Sequence, residues 1–188
     1  MVTVSTAGAK PAISRSAPFF SATGDPIFDN FAYDKAKGEV VFLTYTGLIY
    51  TAKMGTVPKL SEPFSIQTAA GVPPGETKPL LANWYPGGAQ PMALHRASGH
   101  LFVLMHLGEF WSHKAPAGEI WDIDLATKKV VKRVSLDEPA TIIEVTQEAE
   151  PKVVVSGESG TVHILDAKTW EEKFKLEKAG GGVITVPL

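Results

Sequence analysis

The residues of this 188-residue chain that could do chemistry are five histidines, a scatter of carboxylates, an aromatic pair and one aromatic-basic cluster. His95, His106 and His113 stand 11 and 7 residues apart, a spacing that matches no compact ligand motif, and no acidic ligand is clearly grouped with them. Metal centres take their ligands at compact spacings and from hard or soft donors gathered together. Structural roles are therefore expected for the three. Cysteine is absent, so no disulfide, thiolate ligand or cysteine nucleophile exists. Ser159 sits in Gly157-Glu158-Ser159-Gly160, a turn between two strand patterns without the spacing of a nucleophile elbow. The glycine run at 180–182 has no helix pattern after it, so it cannot present helix amides to a phosphate. Asp137, Glu138, Glu148, Glu150, Glu171 and Glu172 read as solvated turn or edge charges. No catalytic, cofactor-binding or metal-ligating residue is expected on this chain.

The aromatic residues are the stronger signal. Trp84, Tyr85, Phe110 and Trp111 fall in two long connections, over 67–91 and 107–117, with His113 and Lys114 beside them. Connections beyond about 12–15 residues in compact domains are usually functional or disordered. Aromatic side chains with a polar handle are favoured at interfaces. Two readings stand: the loops fold back over the sheets, or these six residues meet another subunit. Trp121, within a strand pattern, is expected to pack inside.

The elements that must position these loops are strands. Short runs rich in Val, Ile, Phe and Tyr recur between turn residues, the pattern of an all-β chain. Three units carry it: 31–54, then 92–106 resuming at 118–136, then 142–177. Val40, Leu101 and Val153 align as second strands, and Trp121 aligns with His163 as third strands. Four strands repeating at about 40–50 residues are propeller blades. Asp124 and Asp166 each open a turn in the same place, between third and fourth strands, where the carboxylate can accept from amides two or three residues on. Gly38, Gly47, Gly99 and Gly160 stand where a hairpin needs an unusual φ. The segment 168–178 has some helical spacing, but the repeat places an outer strand there.

Composition sets the outer limits. With 18 Lys+Arg against 20 Asp+Glu, the net charge of −2 offers no basic footprint for nucleic acid or an anionic membrane. Apolar runs are only a few residues long, far short of the roughly 20 that span a bilayer. The first residues lack the basic and apolar regions of a signal peptide.

One family fits these features. The runs TYTGLIY (44–50), WYPGGAQPMALHRASGHLFVLMH (84–106), EFWSHKAPAGEIWDID (109–124) and the closing GGGVITVPL resemble the heavy chain of quinoprotein amine dehydrogenases. The most diagnostic block holds Pro86-Gly87-Gly88, His95 and Ser112-His113-Lys114. The resemblance implies a seven-bladed, periplasmic propeller paired with a small light chain that carries tryptophan tryptophylquinone. In that family the light chain oxidises primary amines to aldehydes and ammonia, and electrons pass to a small copper protein, a cupredoxin. The heavy chain brings no cofactor of its own.

Seven blades need roughly 300 residues or more. The expected architecture is thus a single partial propeller over 1–188. Residues 1–24 would end a preceding blade; 25–68, 84–137 and 140–178 would be blades; 182–187 would be a closing strand. Such a chain would be the C-terminal half of a heavy chain, with the N-terminal half or a second copy completing the ring. A stand-alone binding or scaffold module without redox activity is the other class in view.

Overall fold

The computed structural model describes residues 2–6, 8–15, 30–55, 58–71, 74–75, 82–109 and 111–179. A hairpin of β1 (Val2–Ser5) and β2 (Ala12–Arg15) comes first. The first blade is β3 (Phe31–Asp34), β4 (Glu39–Leu43) and β5 (Leu48–Lys53), with β6 (Lys59–Leu60) and β7 (Phe64–Ser65) both on the outer edge of β5. A single helical turn, α1 (Ile66–Ala69), follows. The second blade is β8 (Trp84–Pro86), β9 (Met92–His95), β10 (His100–Leu107), β11 (Ala117–Asp124) and β12 (Lys129–Ala140). The third is β13 (Ile142–Val145), β14 (Lys152–Ser156), β15 (Val162–Asp166) and β16 (Glu172–Leu176). All pairings within the sheets are antiparallel. The expected all-β partial propeller of three blades is what forms, and 168–178 does contain a strand. The expected closing strand at 182–187 lies outside the described residues.

The turns form as their residues dictate. Asp124 accepts from the Ala126 amide at 2.9 Å and the Thr127 hydroxyl at 2.7 Å. Asp166 accepts from the Lys168 and Thr169 amides at 3.0 and 3.1 Å. Asp34 makes the same pair of bonds, to Ala36 and Lys37, between the first and second strands of its blade. The four hairpin glycines all hold positive φ, from +61° at Gly38 to +85° at Gly47.

Packing comes from stacking one blade on the next. In β10 every residue from Leu101 to His106 is buried. Phe102 and Leu104 point into one core with Ile143, Val145, Val153 and Val155 of the third blade. Leu101, Val103 and Met105 point the other way, into a core with Val41, Leu43 and Ile49 of the first blade. A strand buried on both faces reads as an unbroken apolar run rather than an alternating one. The third blade is the contrast: β16 is exposed along its whole length, with Phe174 65% and Leu176 51% accessible.

Two predictions follow from these contacts. Leu104→Ala, at a position with no solvent access, should cost about 2–5 kcal/mol in chemical denaturation, because the third blade packed against it cannot collapse into the void. The amides of Thr169 and Lys168, and then Lys152, hold the Asp166 carboxylate well below the ordinary range. A depressed folded value adds stability above the unfolded carboxylate pKa and loses it as pH falls. Melting temperature should therefore drop on acidification below about pH 4, and Asp166→Asn should flatten that acid limb.

Candidate functional site

In an antiparallel four-stranded meander, the turns between second and third strands share one end of the propeller with the connections between blades. The 108–116 insertion, which links β10 to β11, stands at that end. The connection entering the second blade stands there too. That blade's inner strand is split: β8 and β9 both pair with β10, and the residues between them bulge out. Gly87 donates its amide to the Leu104 carbonyl at 3.1 Å, and Leu104 donates to the Pro91 carbonyl at 2.8 Å. The Gly88 and Gln90 amides are thereby free to bind elsewhere.

This bulge joins three parts of the molecule. The Gly88 amide donates to the His113 carbonyl in the insertion at 3.1 Å. Gln90 exchanges backbone bonds with the third blade, donating to Thr141 and accepting from Ile143, both at 3.0 Å. Its side-chain amide reaches the Ile143 carbonyl at 3.1 Å and the Glu144 carboxylate at 3.2 Å. Gly88 has φ +106°, and a Cβ there would run into the Thr141 backbone. Only glycine allows that approach.

The insertion is pinned on both sides. The His113 ring stacks on Tyr45 of the first blade, with centroids 3.7 Å apart and planes 11° from parallel. The hydroxyl of Ser112 donates to the Glu109 carbonyl and accepts from His106 Nε2 at 2.7 Å. A serine hydroxyl has one proton. With that proton on a backbone carbonyl, Ser112 and His106 do not form a nucleophile–base pair. Burial pushes the His106 pKa down, so the ring is neutral near pH 7.

The six candidate residues divide. Trp111, 65% accessible, and Lys114 face solvent on the insertion, as does neighbouring Leu107 at 67%. His113 is spent on Tyr45. Trp84 and Tyr85 were expected in a loop, but they lie in β8, opposite Leu107 and His106. Backbone pairing to the far end of β10 captures this stretch, which its proline- and glycine-rich surroundings conceal. Trp84 then packs 5.6 Å from Trp121, and the Arg133 guanidinium sits 4.9 Å from both rings. Arg133 in turn bonds the Glu119 carboxylate at 2.8 and 2.9 Å. Trp121 is fully buried, as expected, with its indole N–H on Glu119 at 2.7 Å. Phe110 lies outside the described residues.

The third histidine stands apart from the other two. His95 is held by Ser98 at 2.7 Å and the Glu148 carbonyl at 3.1 Å, at the opposite end of the blade from His106. About six residues of strand, roughly 20 Å, separate them. Among the described residues no group of three or more His, Asp or Glu is placed to hold a metal ion. Sequence reasoning missed Tyr45, Gln67 and Gln90. Gln67 donates to the carbonyls of Thr46 and Trp84 at 2.8 and 2.7 Å, bridging the first two blades. A lone glutamine in a polar stretch carries no signal for that.

The family model for methylamine dehydrogenase heavy chains matches residues 2–186. The chain belongs to that family. It is 34% identical over 164 residues to the methylamine dehydrogenase heavy chain of Methylobacillus flagellatus, covering 86% of this chain and 39% of that one. To the heavy chain of Paracoccus versutus it is 28% identical over 165 residues, covering 87% and 37%. The chain thus spans about two-fifths of the length of these heavy chains. Among solved structures, Saccharomyces cerevisiae Sqt1 is similar at TM-score 0.52 and 14% identity, over 81% of this chain and 35% of that one. The RRP9 WD40 repeats are similar at 0.52 and 7%, over 80% and 38%. At such identities the likeness speaks of fold alone, and the fold is a propeller.

Within this heavy-chain segment the bulge is open to a direct test. Gly88→Ala should destabilise by about 1–3 kcal/mol and raise hydrogen exchange at the Gln90 and Ile143 amides. Gly55→Ala, where a Cβ meets nothing within 4 Å, should be neutral in both measurements.

Proposed function

We propose that this chain serves as part of the non-catalytic heavy subunit of a periplasmic amine dehydrogenase. The observation that carries the reading is the family match over 2–186, on a fold that leaves a propeller incomplete. Three stacked blades leave apolar side chains accessible on both outer blades. Phe31 and Tyr33 are 58% and 42% accessible on the first, Phe174 and Leu176 65% and 51% on the third. Relatives more than twice as long have residues for the blades that would cover them. The N-terminal part of such a subunit is the proposed cover, and a second copy of this chain is the competing one.

The redox group implied by the family is tryptophan tryptophylquinone, and this chain's residues do not suit it. The contacting pair Trp84 and Trp121 would be the place to look, but Trp121 is inaccessible to solvent and its indole N–H is bound to Glu119. No substrate can reach it. The quinone is assigned instead to a light chain, where it would oxidise a primary amine to an aldehyde and ammonia and yield electrons to a cupredoxin. This chain's share is to hold that light chain. The insertion supports it: an exposed tryptophan and a lysine stand, beside the exposed Leu107 at the end of β10, on a loop that the His113–Tyr45 stack and the Gly88 amide hold in place. Rigid aromatic anchors beside a cation suit a subunit interface. No helix among the described residues is long and apolar enough to cross a membrane.

Co-expression with the N-terminal heavy-chain part and a light chain tests the proposal. The expected result is co-purification and amine-dependent reduction of a redox dye. Trp111→Ala and Lys114→Glu should weaken light-chain retention about tenfold or more without changing the thermal melt. Neither co-purification nor activity, with a self-associated species in sedimentation, would favour the scaffold reading instead.

A further inference from the structure

At the end of the propeller opposite the insertion, a cavity of about 520 Å³ opens between the second and third blades. That is the size of a small-molecule site. Its inner wall is aromatic. Phe102 is buried, and Trp170 of the third blade meets it edge-to-face, with centroids 5.6 Å apart at 74°. Trp170 holds φ +63°, a left-handed conformation that costs a non-glycine residue about 1–2 kcal/mol. The turn that Asp166 closes holds it there, through the Trp170 amide on the Asp166 carbonyl at 2.8 Å. Lys128, four residues after Asp124 in the second blade, holds φ +55°, so this conformation belongs to the turn.

The polar groups decide the ligand. Asp122, 6% accessible, is bonded to His100 Nδ1 at 2.7 Å, and burial pushes its carboxyl pKa up. Lys168 is tied to Glu150 at 2.8 Å. Lys132 stands beside Asp122 on the next strand, in register with it. It lines the cavity and makes no ion pair among the described residues. The cavity therefore offers, across Asp122 from the aromatic floor, a lysine that makes no ion pair among the described residues. We infer that it binds a small planar carboxylate, with the ring against Phe102 and Trp170 and the carboxylate on Lys132. The inference is independent of the amine dehydrogenase reading, because none of these residues belongs to the insertion or the bulge.

Benzoate is the probe, titrated into the 188-residue chain and followed by saturation-transfer NMR. Saturable binding is expected, with an affinity on the order of millimolar for a ligand of this size. Lys132→Glu should weaken it about tenfold. Lys129→Glu, exposed on the same strand but outside the cavity, should leave it unchanged. Trp170→Leu should remove saturation of the benzoate ring. Should that variant unfold, Lys132→Glu decides alone, since Lys132 is exposed and takes no part in packing. The inference fails if benzoate does not saturate, if both lysine variants bind alike, or if benzylammonium binds more tightly than benzoate.

Discussion

A β-sheet blade of four short strands cannot bury both of its faces by itself, and this protein is organised around that limit. The second blade is solved completely: β10 sends alternate side chains into two different cores, one shared with each neighbour. A single fully buried Leu, Ile or Val contributes about 1.5–3 kcal/mol, and Leu101, Val103, Leu104 and Ile143 are all fully buried at the two seams. The third blade leaves its outer strand exposed, whereas on the first blade Val40, Tyr50 and Ala52, on the face turned from the second, are buried. Repeat architectures owe their stability to neighbours in this way, so terminal units need caps or further units.

Apolar faces stack without specifying register, and the polar ties supply it. Each seam has a glutamine that enters from one blade and bonds the backbone of the next. Gln67 bonds Thr46 and Trp84 between the first and second blades. Gln147 donates to Leu94 and accepts from the Arg96 amide between the second and third. Gln90 adds a short parallel bridge to Ile142. Arg96 reaches back to the Tyr33 carbonyl, so the inner strands of all three blades are linked around the axis. Buried carbonyls left without partners would be costly, so these bonds fix how one blade sits on another. The insertion depends on them as well. Its anchor is a bulge that exists because Gly88 lets two blades approach.

Much of the fold was legible beforehand because its signals are local. Asp124 and Asp166 each announce a turn within four residues, and hairpin glycines announce theirs. The run Leu101 to Met105 announces a strand buried on both sides. Trp121 announced packing by its place in that pattern. The candidate site was legible only in part. Trp111, His113 and Lys114 stand together on one exposed loop, as their clustering implied. Trp84 and Tyr85 were misplaced, because their pairing partners His106 and Leu107 lie more than twenty residues away and no nearby residue hints at the register. Tyr45, which holds the insertion down, is separated from His113 by most of two blades.

Taken alone, the amino-acid sequence determined the strand content, the turns and the three four-stranded units, since each rests on residue types at short spacing, and its longer runs carried the family resemblance. Tertiary structure alone decided that Trp84 is spent on packing and that Trp111 is exposed. It alone set Trp170 against Phe102 across a seam and placed Lys132 on the same cavity. The reason is that contacts between blades join residues distant along the chain. Their partners are chosen by how whole sheets stack, which no window of sequence contains.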